Sequence, residues 1–292
     1  MDKPKVTVIG SINMDLLTSV SRLPNQGETM VGDTFEMKPG GKGANQAVAA
    51  SRLGAQVAMI GKVGNDALGK DLLKHLANEN IDTSSIEIDQ ELSTGIANII
   101  LYEKDNRIMI IPGANNAVTE DYVNKWRREI LDSDIVIMQM EIPVQTIIWC
   151  ADLCGENNIP FILNPAPAMK LPSDVFDKAL YITPNEEEGN CLFGDNNETY
   201  RDKLITTIGS KGALYNNKVI NTYPSEVVDT TGAGDTFNGA LAFFIASNTP
   251  IEDAIYKANI AASLAIEHLG AQHGMPSIQQ VEERLTEIRM GQ

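Results

Sequence analysis

The stretch DTTGAGDTFNGALAFF, residues 229–244, joins a loop of very small residues to an apolar run. Apolar residues recur at helical spacing in this run, at Phe237, Leu241 and Phe244, and at Ile245 directly after it. This spacing predicts a helix that begins near Asp235, with Gly232, Ala233 and Gly234 as its approach. Unpaired N–H groups at the start of a helix attract anions, and small residues let an anion come close.

Asp235 has two possible roles in such a loop. A carboxylate that serves only as a helix N-cap explains it in isolation. An anion site beside a carboxylate also suits phosphoryl transfer to a hydroxyl group, because the N–H donors stabilise charge while the carboxylate accepts the hydroxyl proton. The pairing of the two features favours the second role.

Composition excludes several classes of protein. The chain has 292 residues, of which 43% are hydrophobic and 21% charged, as in an ordinary globular protein. Its 23 basic and 39 acidic residues give a formal charge of −16, which argues against binding to nucleic acid or to an anionic membrane. The amino-terminal residues lack a signal-peptide pattern and no run of 18 apolar residues occurs, so we expect a cytoplasmic protein.

Cysteine and histidine residues do not suggest a disulfide framework or a zinc site. The cysteines are Cys150, Cys154 and Cys191, and the histidines are His75, His268 and His273. Three cysteines are too few to staple a chain of this size, and the histidines have no zinc-binding spacing.

Apolar strand patterns alternate with helical patterns along most of the chain, as in QVAMIGKVG followed by ALGKDLLKHLANEN. This alternation predicts a three-layer α/β/α fold with a mostly parallel central sheet. Two segments with strand alternation, at about 14–38 and 93–112, predict a small β-sheet lid. No linker divides the sequence, so we expect one domain over 1–292. Helices are expected over 119–133 and, at the end, over 236–248, 252–268 and 277–289.

Polar residues follow several of the predicted strands. They are Asn13, Asp15, Glu141, Asn164, Asn185 and Glu188. Each alone fits an ordinary loop. Because ligands bind outside the carboxyl ends of parallel strands, we expect the six side chains to converge at one edge of the sheet.

A second glycine-rich stretch, PGGKGANQAVAA at residues 39–50, is not a P-loop, because Glu36 stands where its first glycine belongs and Gly43 follows Lys42. It offers a helix entry with exposed N–H groups, Lys42 and Asn45, which suits a ligand rich in hydroxyls or bearing a phosphate.

Together, PGGKGANQAVAASRLGA and DTTGAGDTFNGALA resemble the two signature regions of the ribokinase-like carbohydrate kinase superfamily. The similarity extends to GSINMDL, GKVGNDALGKDLL, LNPAPA, TPNEEE, TIGSKGA and GAQ, and so covers nearly the whole chain. It implies phosphorylation of D-ribose at O5 by ATP with Mg²⁺, and a β lid that also forms a homodimer clasp.

The resemblance also implies roles for individual residues. The sugar would be held by Asn13, Asp15, Gly41, Lys42, Asn45 and Glu141. Asp235 would be the general base, with the backbone amides of Gly232, Ala233 and Gly234 as the anion hole. Nucleotide and Mg²⁺ contacts would come from Asn185, Glu188, Thr207, Gly209, Gly212 and Asn259, with Glu188 acting on Mg²⁺ through water.

An activating monovalent cation, usually K⁺, is implied beside the anion hole. Its expected ligands are the Asp229 carboxylate and backbone oxygens at Thr231, Ala265, His268, Gly270 and Gly274. The sequence departs from the family at Gly274, where a serine is common. Between Asn185 and Thr207, the stretch that joins NEEEGNCLFG to LITTIGSKG, residues 195–203, is shorter than usual and leaves room for little or no helix.

Two alternatives remain at this stage. The acceptor can be a related compound, namely deoxyribose, a ketohexose or a nucleoside. The chain can also be a sugar-binding protein that keeps the fold without catalysis.

Overall fold

The computed structural model describes residues 3–103 and 105–290. Its strands are β1 (Lys5–Ile9), β2 (Asn13–Ser19), β3 (Thr34–Gly40), β4 (Gln56–Gly64), β5 (Ile81–Asp82), β6 (Ile86–Asp89), β7 (Gly95–Tyr102), β8 (Asp105–Ile111), β9 (Ile135–Gln139), β10 (Phe161–Asn164), β11 (Tyr181–Ile182), β12 (Ile205–Thr207), β13 (Ala213–Tyr215) and β14 (Lys218–Ile220). Its α-helices are α1 (Lys42–Arg52), α2 (Ala67–Asn78), α3 (Glu120–Asn124), α4 (Arg127–Leu131), α5 (Val144–Glu156), α6 (Ser173–Lys178), α7 (Glu186–Leu192), α8 (Ala233–Ala246), α9 (Ile251–Ala265) and α10 (Ile278–Met290).

The central sheet is parallel throughout, in the order β11-β10-β9-β1-β4-β5, and β6 also pairs with β4. Alternate residues of β1 belong to different apolar clusters: Val6 and Val8 pack with α1, α8 and α9, whereas Ile9 packs with α5. Helices therefore cover both faces, and the predicted three-layer architecture is confirmed. No helix in the described ranges combines the length and apolarity needed to cross a membrane.

A smaller sheet has the order β3-β2-β7-β8, in which β2 pairs antiparallel with β3 and parallel with β7, and β7 with β8 forms an antiparallel hairpin. These strands fall in the two segments expected to form the small sheet. A second antiparallel sheet, β12-β13-β14, continues the β11 edge through bridges Ile182–Leu204 and Asn185–Thr207.

Several helix boundaries differ from the expected ones. The single helix expected over 119–133 is divided into α3 and α4, because Lys125 and Trp126 donate to carbonyls only three residues back. Helix α8 begins at Ala233, three residues early, and α9 ends at Ala265, ahead of 268. Residues 195–203, where we expected little or no helix, contain most of a 3₁₀ helix, Gly194–Tyr200, which follows α7.

Glycines bring α1 close to both β1 and α8. A Cβ atom on Gly43 would lie 2.7 Å from the Gly10 carbonyl carbon, and one on Gly239 would lie 2.5 Å from the Gln46 oxygen and 2.6 Å from the Ala49 Cβ. Because backbone atoms meet at these points, the beginnings of α1 and α8 lie against each other at the carboxyl ends of the strands. The fold thereby places the two glycine-rich motifs side by side.

We predict that Gly239→Ala lowers the free energy of unfolding by about 1–3 kcal/mol, the usual cost of overpacking a core, although alanine favours helices over glycine. Denaturant unfolding followed by circular dichroism measures this loss. Gly234→Ala is the matched control in the same helix, since its added Cβ has no neighbour within 4 Å. Equal stability of Gly239→Ala and the native protein would contradict the close contact between α1 and α8.

Candidate active site

Asp235 lies in the first turn of α8 and is 8% exposed. Each of its carboxylate oxygens accepts one side-chain amide: Asn45 Nδ2 donates to Oδ2 at 2.8 Å, and Gln46 Nε2 donates to Oδ1 at 2.9 Å. Both donors come from α1. The two motifs identified in the sequence therefore meet at this carboxylate.

The loop before Asp235 exposes backbone donors. Gly232 has φ +79°, and a Cβ there would lie 2.7 Å from Ala271 backbone atoms, so only glycine fits. The Ala233 amide is used within the loop, where it donates to the Thr230 carbonyl at 3.2 Å. The Gly232, Gly234 and Asp235 amides have no acceptor among the residues described. The anion hole expected from Gly232, Ala233 and Gly234 is therefore corrected at Ala233, and the three other amides are the N–H groups available to an anion.

Asn13 is buried at the start of β2 and has a fixed orientation. Asn115 binds the Ile12 amide at 2.9 Å through Oδ1 and donates Nδ2 to Asn13 Oδ1 at 2.7 Å. The Asn13 amide nitrogen is therefore left as its free donor. Gly95 allows this arrangement, since a Cβ on it would lie 2.2 Å from Asn13 Oδ1.

Glu141 connects the end of β9 to the start of α1. Its Oε2 accepts the Ser11 hydroxyl at 2.5 Å and the Lys42 backbone amide at 3.2 Å. Gly41 precedes Lys42 with φ +88°, and a Cβ there would lie 2.7 Å from the backbone nitrogen of Asn13. The predicted sugar-binding residues on β2, β9 and α1 are thus brought together.

Lys42 lies among the carboxylates of Asp15, Glu141, Glu188 and Asp235. Burial alone would lower the pKa of its ammonium group, but these negative charges raise it above its usual value. Burial, reinforced by Glu141 and Asp235, raises the pKa of Asp15 to about 7. The site has an excess of negative charge. A neutral ligand rich in hydroxyl groups therefore suits it better than an anion that brings no cation with it.

Asn185 and Glu188 form a capping box at the start of α7. Asn185 Oδ1 accepts the Glu188 amide and Glu188 Oε2 accepts the Asn185 amide, both at 2.8 Å. Burial raises the pKa of Glu188. Both residues, with Lys42, Thr207, Gly234 and Asp235, line a cavity of about 130 Å³.

The other predicted nucleotide residues lie beyond the lining of that cavity. Gly209 and Gly212, with φ +57° and +99°, flank the turn between β12 and β13. Asn259 is buried in α9 and donates to the Ile220 carbonyl at 2.7 Å, so its amide group ties α9 to β14.

Asp229 holds two loops together. One carboxylate oxygen accepts the Thr231 amide and hydroxyl at 2.9 and 2.6 Å, and the other accepts the Gly270 amide at 2.8 Å. Burial opposes its ionisation, but these hydrogen bonds lower the pKa of Asp229. Gly274 lies against the Ala265 carbonyl, where a Cβ would approach to 2.2 Å. His268 is exposed.

Three buried amides complete the site and were not among the predicted residues. Gln46 and Asn115 contact Asp235 and Asn13 as described above. Gln272 Nε2 donates to Asn45 Oδ1 at 2.8 Å, and Gln272 Oε1 lies 2.6 Å from His75 Nε2. Gln46 and Gln272 stand inside the quoted motifs GGKGANQ and GAQ, and their position there was the one signal available.

We predict that Asp15→Asn stabilises the protein relative to native as pH rises from about 4 to 8. The native carboxyl has a pKa of about 7 in the folded protein against an ordinary value of 3.8, so its ionisation costs stability across this interval, and the asparagine removes that cost. The gain should be about 1–4 kcal/mol. Denaturant unfolding at both pH values measures it, with exposed Asp33→Asn as control. If Asp15→Asn differs from the native protein by the same free energy of unfolding at both pH values, the raised pKa of Asp15 is contradicted.

Comparison with known proteins identifies the family of the chain. The model of the pfkB family carbohydrate kinases matches residues 3–278. The ribokinase of Lactococcus lactis is 45% identical over 98% of both chains, and the deoxyribokinase of Salmonella typhi is 32% identical over 96% of this chain and 98% of that protein. A structure of Arabidopsis thaliana ribokinase complexed with ribose and ATP has a TM-score of 0.90 at 29% identity, covering 97% of this chain and 99% of that one. The chain belongs to the pfkB family of carbohydrate kinases.

Proposed function

We propose that the protein transfers the γ-phosphoryl group of ATP to the O5 hydroxyl of D-ribose, giving D-ribose 5-phosphate and ADP. The observation that carries the proposal is the Asp235 carboxylate beside the free Gly234 and Asp235 amides, at a cavity that also contains Lys42. The relatives named as ribokinases support ATP and ribose as the substrates.

Asp235 acts as the general base. It accepts the O5 proton while the bond from O5 to the γ-phosphorus forms and the bond to the ADP oxygen breaks, in line. The Gly232, Gly234 and Asp235 amides stabilise the charge on the transferring group. Ala233 contributes through the loop turn, because its own amide donates to Thr230.

The sugar is held by the residues that the structure collects at the ends of β2 and β9 and the start of α1. They are Asn13, Asp15, Gly41, Lys42, Asn45 and Glu141. Asn13 presents an N–H donor, and carboxylates present acceptors, so the set complements several hydroxyl groups of a neutral sugar. Lys42 compensates part of the negative charge.

Mg²⁺ enters with ATP and fits the acidic cavity. Glu188 has one carboxylate oxygen engaged in the capping box, and the other is free to bind metal-coordinated water. The ion neutralises charge on the phosphates when bound. Asn185 and Thr207 face the same cavity, and Gly209, Gly212 and Asn259 shape the nucleotide side of the fold.

A monovalent cation, K⁺, fits the loops joined by Asp229. The donors proposed there are all oxygens: the Asp229 carboxylate and carbonyls at Thr231, Ala265, His268, Gly270 and Gly274. Carbonyl oxygens of this kind can replace the hydration shell of K⁺. The proposed role of the cation is to fix the loop that leads into α8.

Deoxyribose is the second candidate acceptor, because a relative with 32% identity is named a deoxyribokinase. The two sugars differ by one hydroxyl group. A site that hydrogen-bonds this hydroxyl strongly rejects the analogue that lacks it, so the two acceptors can be separated by kinetics.

The small sheet is proposed as both a lid and a homodimer contact. Its strands β3 and β8 expose large apolar side chains between 45% and 60%, at Phe35, Met37, Ile108, Met109, Ile110 and Ile111. Apolar surface of this kind marks a contact with another molecule. Ile110 pairs with Ala97, which in turn pairs with Asp15, and Ile108 lies two residues before Ile110 on the same strand. Ile108 and Ile110 therefore lie on the same face of the small sheet as Asp15.

We predict that the purified protein with ATP, Mg²⁺ and K⁺ converts D-ribose to ribose 5-phosphate. Asp235→Asn should lower kcat by roughly 10²- to 10⁴-fold, the usual contribution of a positioned general base, and exposed Asp253→Asn should not. A coupled ADP assay measures both, with 2-deoxyribose as the competing acceptor and K⁺ omitted in one series. Faster turnover of deoxyribose would exchange the two candidates, and no turnover of either sugar would overturn the proposal.

We predict that the double variant Ile108→Asp and Ile110→Asp sediments as a monomer, because two buried charges would oppose the contact between sheets. Native protein should sediment as a dimer. Val219→Asp, which replaces an exposed apolar residue on β14, is the control and should leave the dimer intact. A monomeric native protein would refute the clasp.

A further inference from the structure

Gln46 contacts Asp235 without being exposed itself. Its side chain is fully buried, and it does not line the 130 Å³ cavity within the described structure. Its Nε2 nevertheless lies 2.9 Å from Asp235 Oδ1. Gln46 thus binds the carboxylate from within the protein interior.

Every polar group of the Gln46 side chain is engaged. Nε2 carries two hydrogens, one for Asp235 Oδ1 and the other for Asn164 Oδ1 at 3.0 Å, and Oε1 accepts Gln139 Nε2 at 2.7 Å. Asn164 has a fixed orientation because its Nδ2 donates to the Thr183 carbonyl at 2.8 Å. Rotation of the Gln46 amide by 180° would set oxygen against oxygen at two acceptors.

Gln139 fixes the orientation of the Gln46 amide from its oxygen side. It is fully buried, and its own Oε1 has no hydrogen-bond partner among the described residues. Its Nε2 donates to Gln46 Oε1 at 2.7 Å, which leaves the Gln46 Nε2 hydrogens for Asp235 and Asn164.

The network joins four elements at the point where the reaction is proposed to occur. Gln139 ends β9, Asn164 ends β10, Gln46 lies in the first turns of α1, and Asp235 lies in the first turn of α8. Asn45 engages the other oxygen of Asp235. With one N–H donor on each oxygen, the carboxylate plane is fixed and an acceptor position remains on each oxygen.

We propose that Gln46 is a positioning residue that holds the Asp235 carboxylate through Oδ1, in the orientation in which it can accept the O5 proton. This inference rests on the proposed role of Asp235 as the general base. A small misplacement of a reacting group can cost about 10²-fold in rate, which sets the scale of the expected effect. Sugar binding should change little, because the Gln46 side chain is fully buried and exposes no group to the sugar.

The test compares Gln46→Met and Gln46→Glu with native protein. Gln46→Met keeps the length of the side chain and removes the donor, and we expect kcat to fall about 10- to 100-fold while KM for ribose stays within about threefold. Thr7→Val is the control: it removes a buried hydrogen bond to Ser133 Oγ in the core and should lower stability without lowering kcat.

Gln46→Glu supplies a readout that a purely structural role would not move. While protonated, the introduced carboxyl can still donate a hydrogen bond to Asp235. Once ionised, the introduced carboxylate repels the Asp235 carboxylate. The ratio of its kcat to the native kcat should therefore fall as pH rises, whereas the ratio for Gln46→Met stays low and constant. Asp15, Glu141, Glu188 and Lys42 face the same site and are common to all three proteins, so their direct titration cancels in the ratio.

The outcomes separate the two proposals. Suppose that the native protein phosphorylates ribose. If folded Gln46→Met then keeps the native kcat, or if the ratio of the Gln46→Glu kcat to the native kcat does not change with pH, the inference is overturned and the proposed function stands. If Gln46→Met does not fold, the Gln46→Glu ratio decides. Absence of sugar phosphorylation by the native protein would overturn the proposed function and the inference with it.

Discussion

The hydrogen bonds from Asn45 and Gln46 to the two oxygens of Asp235 are the interaction on which the site depends. They connect the first turns of α1 and α8, which the sequence separates by about 190 residues. The two helices can meet there because Gly239 of α8 has no side chain where it contacts Gln46 and Ala49 of α1, and Gly43 lets α1 lie equally close to the residues after β1. Backbone packing and the position of the carboxylate are therefore one constraint.

Charge is the second constraint, because carboxylates of Asp15, Glu141, Glu188 and Asp235 surround Lys42. An isolated group of this kind is costly to bury, as the raised pKa of Asp15 shows. The cost falls when a cation or a set of hydroxyl groups enters. This excess of negative charge suits a neutral polyol together with the proposed metal-bound nucleotide.

Much of this arrangement is predictable from the sequence, and the reason is local. Alternation of strands and helices predicts the parallel sheet, and polar residues after strands predict its ligand edge. The spacing after Gly234 predicts α8 and places Asp235 at its start. Each of these signals depends on neighbours within a few turns of the chain.

Contacts between distant residues escape the same reasoning. Gln272 meets Asn45 across 227 positions, and Asn115 meets Asn13 across 102. A single sequence has no signal for such pairs, since a glutamine within a motif fits an exposed helix face as well as a buried network. The division of the expected helix at Lys125 and the turn bond of Ala233 likewise depend on tertiary packing.

Asn185 and Glu188 show how a folding signal can also mark a site. The N-x-x-E spacing is that of a capping box, and the structure forms both of its hydrogen bonds. The same residues line the cavity beside Asp235. Because the cap uses Glu188 Oε2 and leaves the other oxygen, the helix start orients the carboxylate that is proposed to act on Mg²⁺ through water. Capping and metal binding are thus compatible roles of one side chain, and the fixed end of α7 gives the proposed metal contact its direction.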